Sequence, residues 1–217
     1  MKINSLIALL SLPLALILSS CVQARVGHPA LWRVRSPTAT IYLFGSIHAL
    51  PADEQWRTPA LTKAEAEADT LVLELTDIDD QEKVKAAVRE VAFAPNLPDV
   101  LDRVPAAKRA GLAALLARSG TPLSVLKTYK TWAVYLFGLT PIEFSEIGVD
   151  SAEGVERKLS ADFKAASKPI TGLETFKYQL GIFDALPEAV QRKLLAQAVD
   201  EMPKARAEFF QTLRAWE

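Results

Sequence analysis

Apolar and polar positions along the chain fall into four short β-type runs separated by longer stretches of helical spacing. Residues 30–35 and 40–44 flank the turn cluster Ser36-Pro37-Thr38 and predict a hairpin, LWRV against IYLF. Residues 70–76, TLVLELT, predict another strand, whose alternation puts Leu71, Leu73 and Leu75 on one face and Val72 and Glu74 on the other. Residues 169–173, PITGL, predict a further strand closed by Glu174 and Thr175. Between and after these runs, 59–68, 81–91, part of 95–120, a stretch from 122 to 137, 151–166, 176–185, 187–199 and 203–217 predict helices. Pro105 stands at a first helical turn, and Gly138 with Pro141 is expected to stop the helix before them. Strands separated by helices predict an α/β sheet with its site at one edge.

Two apolar stripes have helical spacing and predict core. Val125, Tyr129 and Trp132 form one; Met202, Ala205, Phe209, Leu213 and Trp216 form the other, along one side of the last helix. Asp77, Asp79 and Asp80 predict a solvated turn and an N-cap for the helix at 81–91. They lack the glycine and glutamate spacing of a calcium loop.

The N-terminus changes the picture, because it is expected to be removed. Lys2 supplies a positive n-region, and 6–18 is an apolar h-region too short for a comfortable transmembrane helix. Leu18-Ser19-Ser20-Cys21 resembles a bacterial lipobox, so residues 1–20 read as a lipoprotein-type signal peptide with cleavage before an acylated Cys21. Cleavage after Ala24 is the alternative. Either way the expected protein is exported, as a membrane-anchored lipoprotein or a soluble periplasmic one.

Composition narrows the chemistry. The chain of 217 residues, half of them apolar, allows one domain or at most a small pair, with material for a real core. Its 25 basic and 26 acidic residues give no electrostatic footprint for nucleic acid. Losing the leader removes only Lys2 among charged groups and leaves a net charge of −2. The single cysteine excludes an intrachain disulfide and a thiolate zinc cluster. There is no G-x-S-x-G elbow, P-loop or dinucleotide fingerprint.

The remaining candidates sit at strand ends. Gly45-Ser46-Ile47-His48 follows the strand at 41–44, and His48 is one of two histidines. An imidazole just past a buried strand either moves protons or ligates a metal, or is a structural histidine beside a tight turn. Glu74 lies within an apolar run, where a carboxylate is paired, ligating, or close enough to the strand end to reach solvent.

Leu31-Trp32, LFGSIHALP at 43–51, LVLEL at 71–75 and GLETFKYQLGIFDALP at 172–187 together resemble the TraB/GumN family, which includes PrgY and the TIKI proteases. The resemblance spans 30–217 and implies the fold shared with ChaN and the erythromycin esterases, a central mixed β-sheet wrapped by many helices. It implies a metal-dependent hydrolase acting on a peptide or protein, with manganese, cobalt or zinc as the divalent metal. Carried over, His48, Glu74 and Glu174 become the catalytic and metal-binding residues. The family pattern has a second G-x-x-H, which this sequence lacks; its other histidine, His28, directly follows Gly27. The expectation is therefore a member shortened at its C-terminus, with a weaker metal cage and an open edge that favours self-association. The other functional reading is a non-catalytic envelope or polysaccharide-pathway accessory protein, or a degenerate family member.

Overall fold

A computed structural model describes residues 27–217. The expected leader, with Cys21, lies outside these residues. Strands β1 (Leu31–Arg35) and β2 (Thr40–Phe44) form the expected antiparallel hairpin, with Trp32 opposite Leu43 and Val34 opposite Ile41. Ser36 closes its turn by accepting from the Thr38 and Ala39 amides. Helix α1 (Pro59–Glu67) starts at Thr58, whose hydroxyl caps the Leu61 amide. Strand β3 (Leu71–Leu75) shows the expected faces: its leucines are half-buried, while Val72 and Glu74 are exposed. Asp80 then caps α2 (Gln81–Val91) as expected. The other two aspartates are tied to later helices and do not form a loose turn.

Helix α3 (Ala106–Arg118) and the single turn α4 (Leu123–Leu126) follow. The helix expected to run through Phe137 breaks instead at residues 127–130. Tertiary partners take that backbone: Lys130 donates to the Ala92 carbonyl (2.8 Å), Ala94 donates to Thr128 (3.2 Å), and Arg103 binds the carbonyls of Lys127 and Tyr129. The chain then turns helical from α5 (Thr131–Ala133) through a π-helical segment (Val134–Leu139) into α6 (Thr140–Ile147). It passes straight through the expected stop. Gly138 packs tightly, since a β-carbon there would lie 3.3 Å from Leu116. Pro141 sits in the first turn of α6, just after the wider π segment, where its missing N–H is tolerated.

The expected helix at 151–166 is split. Asp150 caps a 3-10 turn (Ser151–Glu153), and α7 (Val155–Ala165) begins after Gly154. Strand β4 (Ile170–Glu174) pairs in parallel with β3, with Leu73 opposite Gly172 and Leu75 opposite Glu174. Thr175 caps α8 (Phe176–Asp184). The last two expected helices are one, α9 (Glu188–Trp216), with Pro203 inside it. A proline there deprives only the Val199 carbonyl of its helical donor, and the packing on both sides of it carries the helix through.

The helix-rich α/β class expected from the sequence is the one observed, with both antiparallel and parallel pairing. The strands form two two-stranded ladders, and helices supply most of the core. One cluster joins α3, α4, α6 and α9 through Leu112, Leu116, Leu126, Ile142 and Leu195. A second joins α2, α5 and α8 around Trp132. The third lies under the hairpin, where Leu31 and Phe44 meet Trp56, Leu61, Val155 and Leu213. The apolar stripe of the last helix is covered here: Met202 and Leu213 are buried, and Phe209 and Trp216 are half-buried against the hairpin cluster. In the other stripe Trp132 is core, whereas the break at 127–130 turns Val125 outward.

Candidate functional site

The turn that carries His48 is clamped by backbone contacts. Leu50 and Asp150 exchange hydrogen bonds of 3.2 and 3.0 Å, and Val155 donates to the Ile47 carbonyl at 3.0 Å. From the other side, Trp216 donates its indole N–H to the Gly45 carbonyl at 2.8 Å. The loop at the end of β2 is thereby fixed against the start of α7 and the end of α9.

This clamp delivers a partner to His48 that the sequence reading missed. Glu156, in the first turn of α7, places Oε1 2.7 Å from His48 Nδ1. Ser46 donates its hydroxyl to the same oxygen. The bond to Glu156 raises the His48 pKa above its ordinary value, overcoming partial burial, and the charge of Glu74 adds to the rise. Burial pushes the Glu156 carboxyl up, but the hydrogen bonds from His48 and Ser46 outweigh it, so its pKa lies below the ordinary value. With Nδ1 engaged, Nε2 of this exposed residue has no hydrogen-bond partner among the described residues. The sequence signal for Glu156 was the pattern Gly154-Val155-Glu156 after Asp150, which reads as a plain helix start until the His48 loop is laid against it.

The carried-over glutamates meet at a different residue. Gln179 of α8 donates its side-chain amide to Glu74 Oε1 at 2.6 Å and to Glu174 Oε2 at 3.3 Å. Strand alternation puts Glu74 on the open face of the β3–β4 ladder, whereas Glu174 is in register with Leu75 on the opposite face. Both still reach Gln179 because they stand at the carboxyl ends of parallel strands, where α8 begins. Asp77 fixes that beginning by accepting the Phe176 amide at 3.0 Å. Asp79 accepts from Arg157 (2.9 Å) and Lys164 (3.0 Å) of α7, which ties the helix of Glu156 to the end of β3.

His48 and Glu74 thus sense one another electrostatically, and Glu74 and Glu174 share one amide. Among the described residues, no three of the histidine, cysteine, aspartate and glutamate side chains gather closely enough to hold a metal ion. The three expected ligands are engaged elsewhere: His48 Nδ1 with Glu156, and both glutamates with Gln179. The three side chains do not converge into one cluster among the described residues, and the arrangement leaves His48 Nε2 available for proton transfer. The backbone N–H of His28 donates to the Glu217 carbonyl at 2.6 Å, at the end of α9.

No curated protein and no solved structure matches the chain. A family model does match, over residues 30–217, nearly the whole of the described region. That match makes the chain a member of the TraB/PrgY/gumN family.

Proposed function

We propose that this protein is an exported hydrolase that cleaves a peptide or protein bond, with His48 as its general base. The observation that carries the reading is the Glu156 carboxylate held 2.7 Å from His48 Nδ1. A carboxylate at one ring nitrogen fixes the tautomer, orients the imidazole and raises the basicity of the other nitrogen. In the reaction, Nε2 takes a proton from water as the water oxygen bonds to the scissile carbonyl carbon. The imidazolium then returns that proton to the amine as the C–N bond breaks. Glu156 stabilises the imidazolium between the two transfers. Ser46 and the clamp from α7 and α9 hold the loop still while this occurs. No step passes through a metal.

The test is peptide cleavage by the full chain, assayed with a chelator and again with added manganese, cobalt or zinc. His48→Ala should lower the rate by at least about 100-fold, the usual contribution of a positioned general base. Equal rates for parent and variant would remove His48 from the chemistry. Absence of cleavage by the parent under every condition would favour the non-catalytic accessory reading.

A further inference from the structure

The hairpin has its polarity inverted. A two-stranded ladder lying on a core ordinarily turns apolar side chains inward and polar ones outward. Here Trp32 and Leu43 are cross-strand partners, as are Val34 and Ile41. All four face away from the core, with exposures of 59, 52, 54 and 55 % respectively. The opposite face carries Arg33, Arg35, Thr40 and Tyr42, with only Leu31 and Phe44 reaching the core. Tyr42 there donates to Glu67 of α1. The outward face is therefore four contiguous apolar side chains with no charge among them. Such a face marks an interaction surface.

We propose that this face rests on the lipid bilayer, in the interfacial layer, when the protein is anchored at Cys21. The proposal rests on the export reading, in which Cys21 is acylated. Leu31 lies ten positions after Cys21. Ten residues span at most about 35 Å when fully extended, so the hairpin cannot leave the neighbourhood of the membrane. Tryptophan flanked by aliphatic side chains suits the headgroup boundary, where an amphipathic ring has both environments. An uncharged face offers nothing to an acidic or a basic partner, whereas lipid asks only for apolar area. The lipid anchor holds the face close to the bilayer, and the apolar area it buries there adds to the attachment. The same contact would set the orientation of the protein, because α1 and the end of α9 lie behind the hairpin.

The experiment uses the full chain purified from bacterial membranes and returned to phosphatidylcholine–phosphatidylglycerol vesicles with brominated acyl chains. Mass spectrometry first reads the state of Cys21. Tryptophan emission should be quenched by the brominated lipid, and most of that quenching should vanish in Trp32→Phe, because Trp56 and Trp132 are buried and Trp216 is half-buried in the cluster beneath the hairpin. Ile41→Lys, placed at a surface position that does not carry the core, should raise the exposure of Trp32 to aqueous acrylamide several-fold on vesicles. Undiminished bromolipid quenching in Trp32→Phe overturns the proposal, as does unchanged acrylamide access in Ile41→Lys. If Cys21→Ser forms a concentration-dependent dimer that shields Trp32 without vesicles, a second copy covers the face and the proposal also falls. An unacylated Cys21 overturns the anchored form of the export reading, and the proposal with it. An acylated Cys21 with Trp32 left in water overturns the docking face alone.

Discussion

Gly154 lies against the backbone of His48: a β-carbon built on Gly154 would sit 2.1 Å from the His48 carbonyl oxygen. The Gly154 backbone itself, at φ −58° and ψ 148°, is open to any residue. The need for glycine is one of space. The next residue, Val155, donates to Ile47, and Glu156 follows to meet the imidazole. One missing side chain thus lets α7 approach closely enough to present its carboxylate.

Gly154→Ala should therefore separate the two elements. The expected loss is about 1–3 kcal/mol of stability, as for other overpacked sites, together with loss of the Glu156–His48 bond. Gly181→Ala is the control. It lies within α8 with nothing near its would-be β-carbon, so it should stabilise by about 0.5–1 kcal/mol. Denaturant unfolding of the two variants checks the contrast. Equal effects would show that the approach at Gly154 does not constrain the fold.

The ion pair has a defined pH window. His48 is raised above its ordinary 6.5, so the stability it contributes is complete below 6.5 and fades as pH rises through its folded pKa. Glu156 is lowered from 4.5, so its share is complete above 4.5 and fades as pH falls through its folded pKa. The pair thus contributes fully between 4.5 and 6.5. Glu156→Gln should move the His48 titration to lower pH, read by proton NMR with His48→Ala for assignment. The acid limb of any pH–rate profile should move the same way, because a less basic imidazole is deprotonated sooner. An unmoved His48 titration would mean that Glu156 does not hold the ring.

Arg103 is buried and spends its guanidinium on three carbonyls: Pro98 at 3.0 Å, Tyr129 at 2.6 Å and Lys127 at 2.8 Å. Arg103→Met removes the donor from all three part-buried carbonyls, and the expected loss is about 1–3 kcal/mol. Arg103→Lys should recover only part of this, because an ammonium lacks the planar fork. Thermal melting orders the three proteins. Parent-like melting of Arg103→Met would show that water replaces the fork without loss.

Gln179 keeps Glu74 and Glu174 together. Gln179→Leu removes the shared donor and leaves two carboxylates facing a methyl-ended side chain. The variant should be less stable than the parent by about 1 kcal/mol, the usual contribution of a hydrogen bond of this kind. Thermal melting of the two proteins checks this. Parent-like melting of Gln179→Leu would show that water replaces the amide without loss.

The sequence by itself determined the elements whose pattern is local. The hairpin follows from two alternating runs around Ser36-Pro37-Thr38. The leucine face of β3 follows from period two, and the starts of α2 and α8 follow from Asp80 and Thr175. The position of His48 at a strand end was legible for the same reason, and so was family membership, which rests on short motifs in order. The features misplaced or missed were those in which a distant group supplies the hydrogen bond or the space. The break at 127–130 exists because Arg103 and Ala92 satisfy backbone that would otherwise be helical. The continuation through Gly138 exists because Leu116 packs onto it. Glu156 joins His48 across more than 100 residues only because Gly154 admits a backbone contact. Propensity and periodicity act over one or two turns of chain, whereas a buried guanidinium or a close backbone approach acts between elements; only the packed structure decides which carbonyl, and which histidine, each one meets.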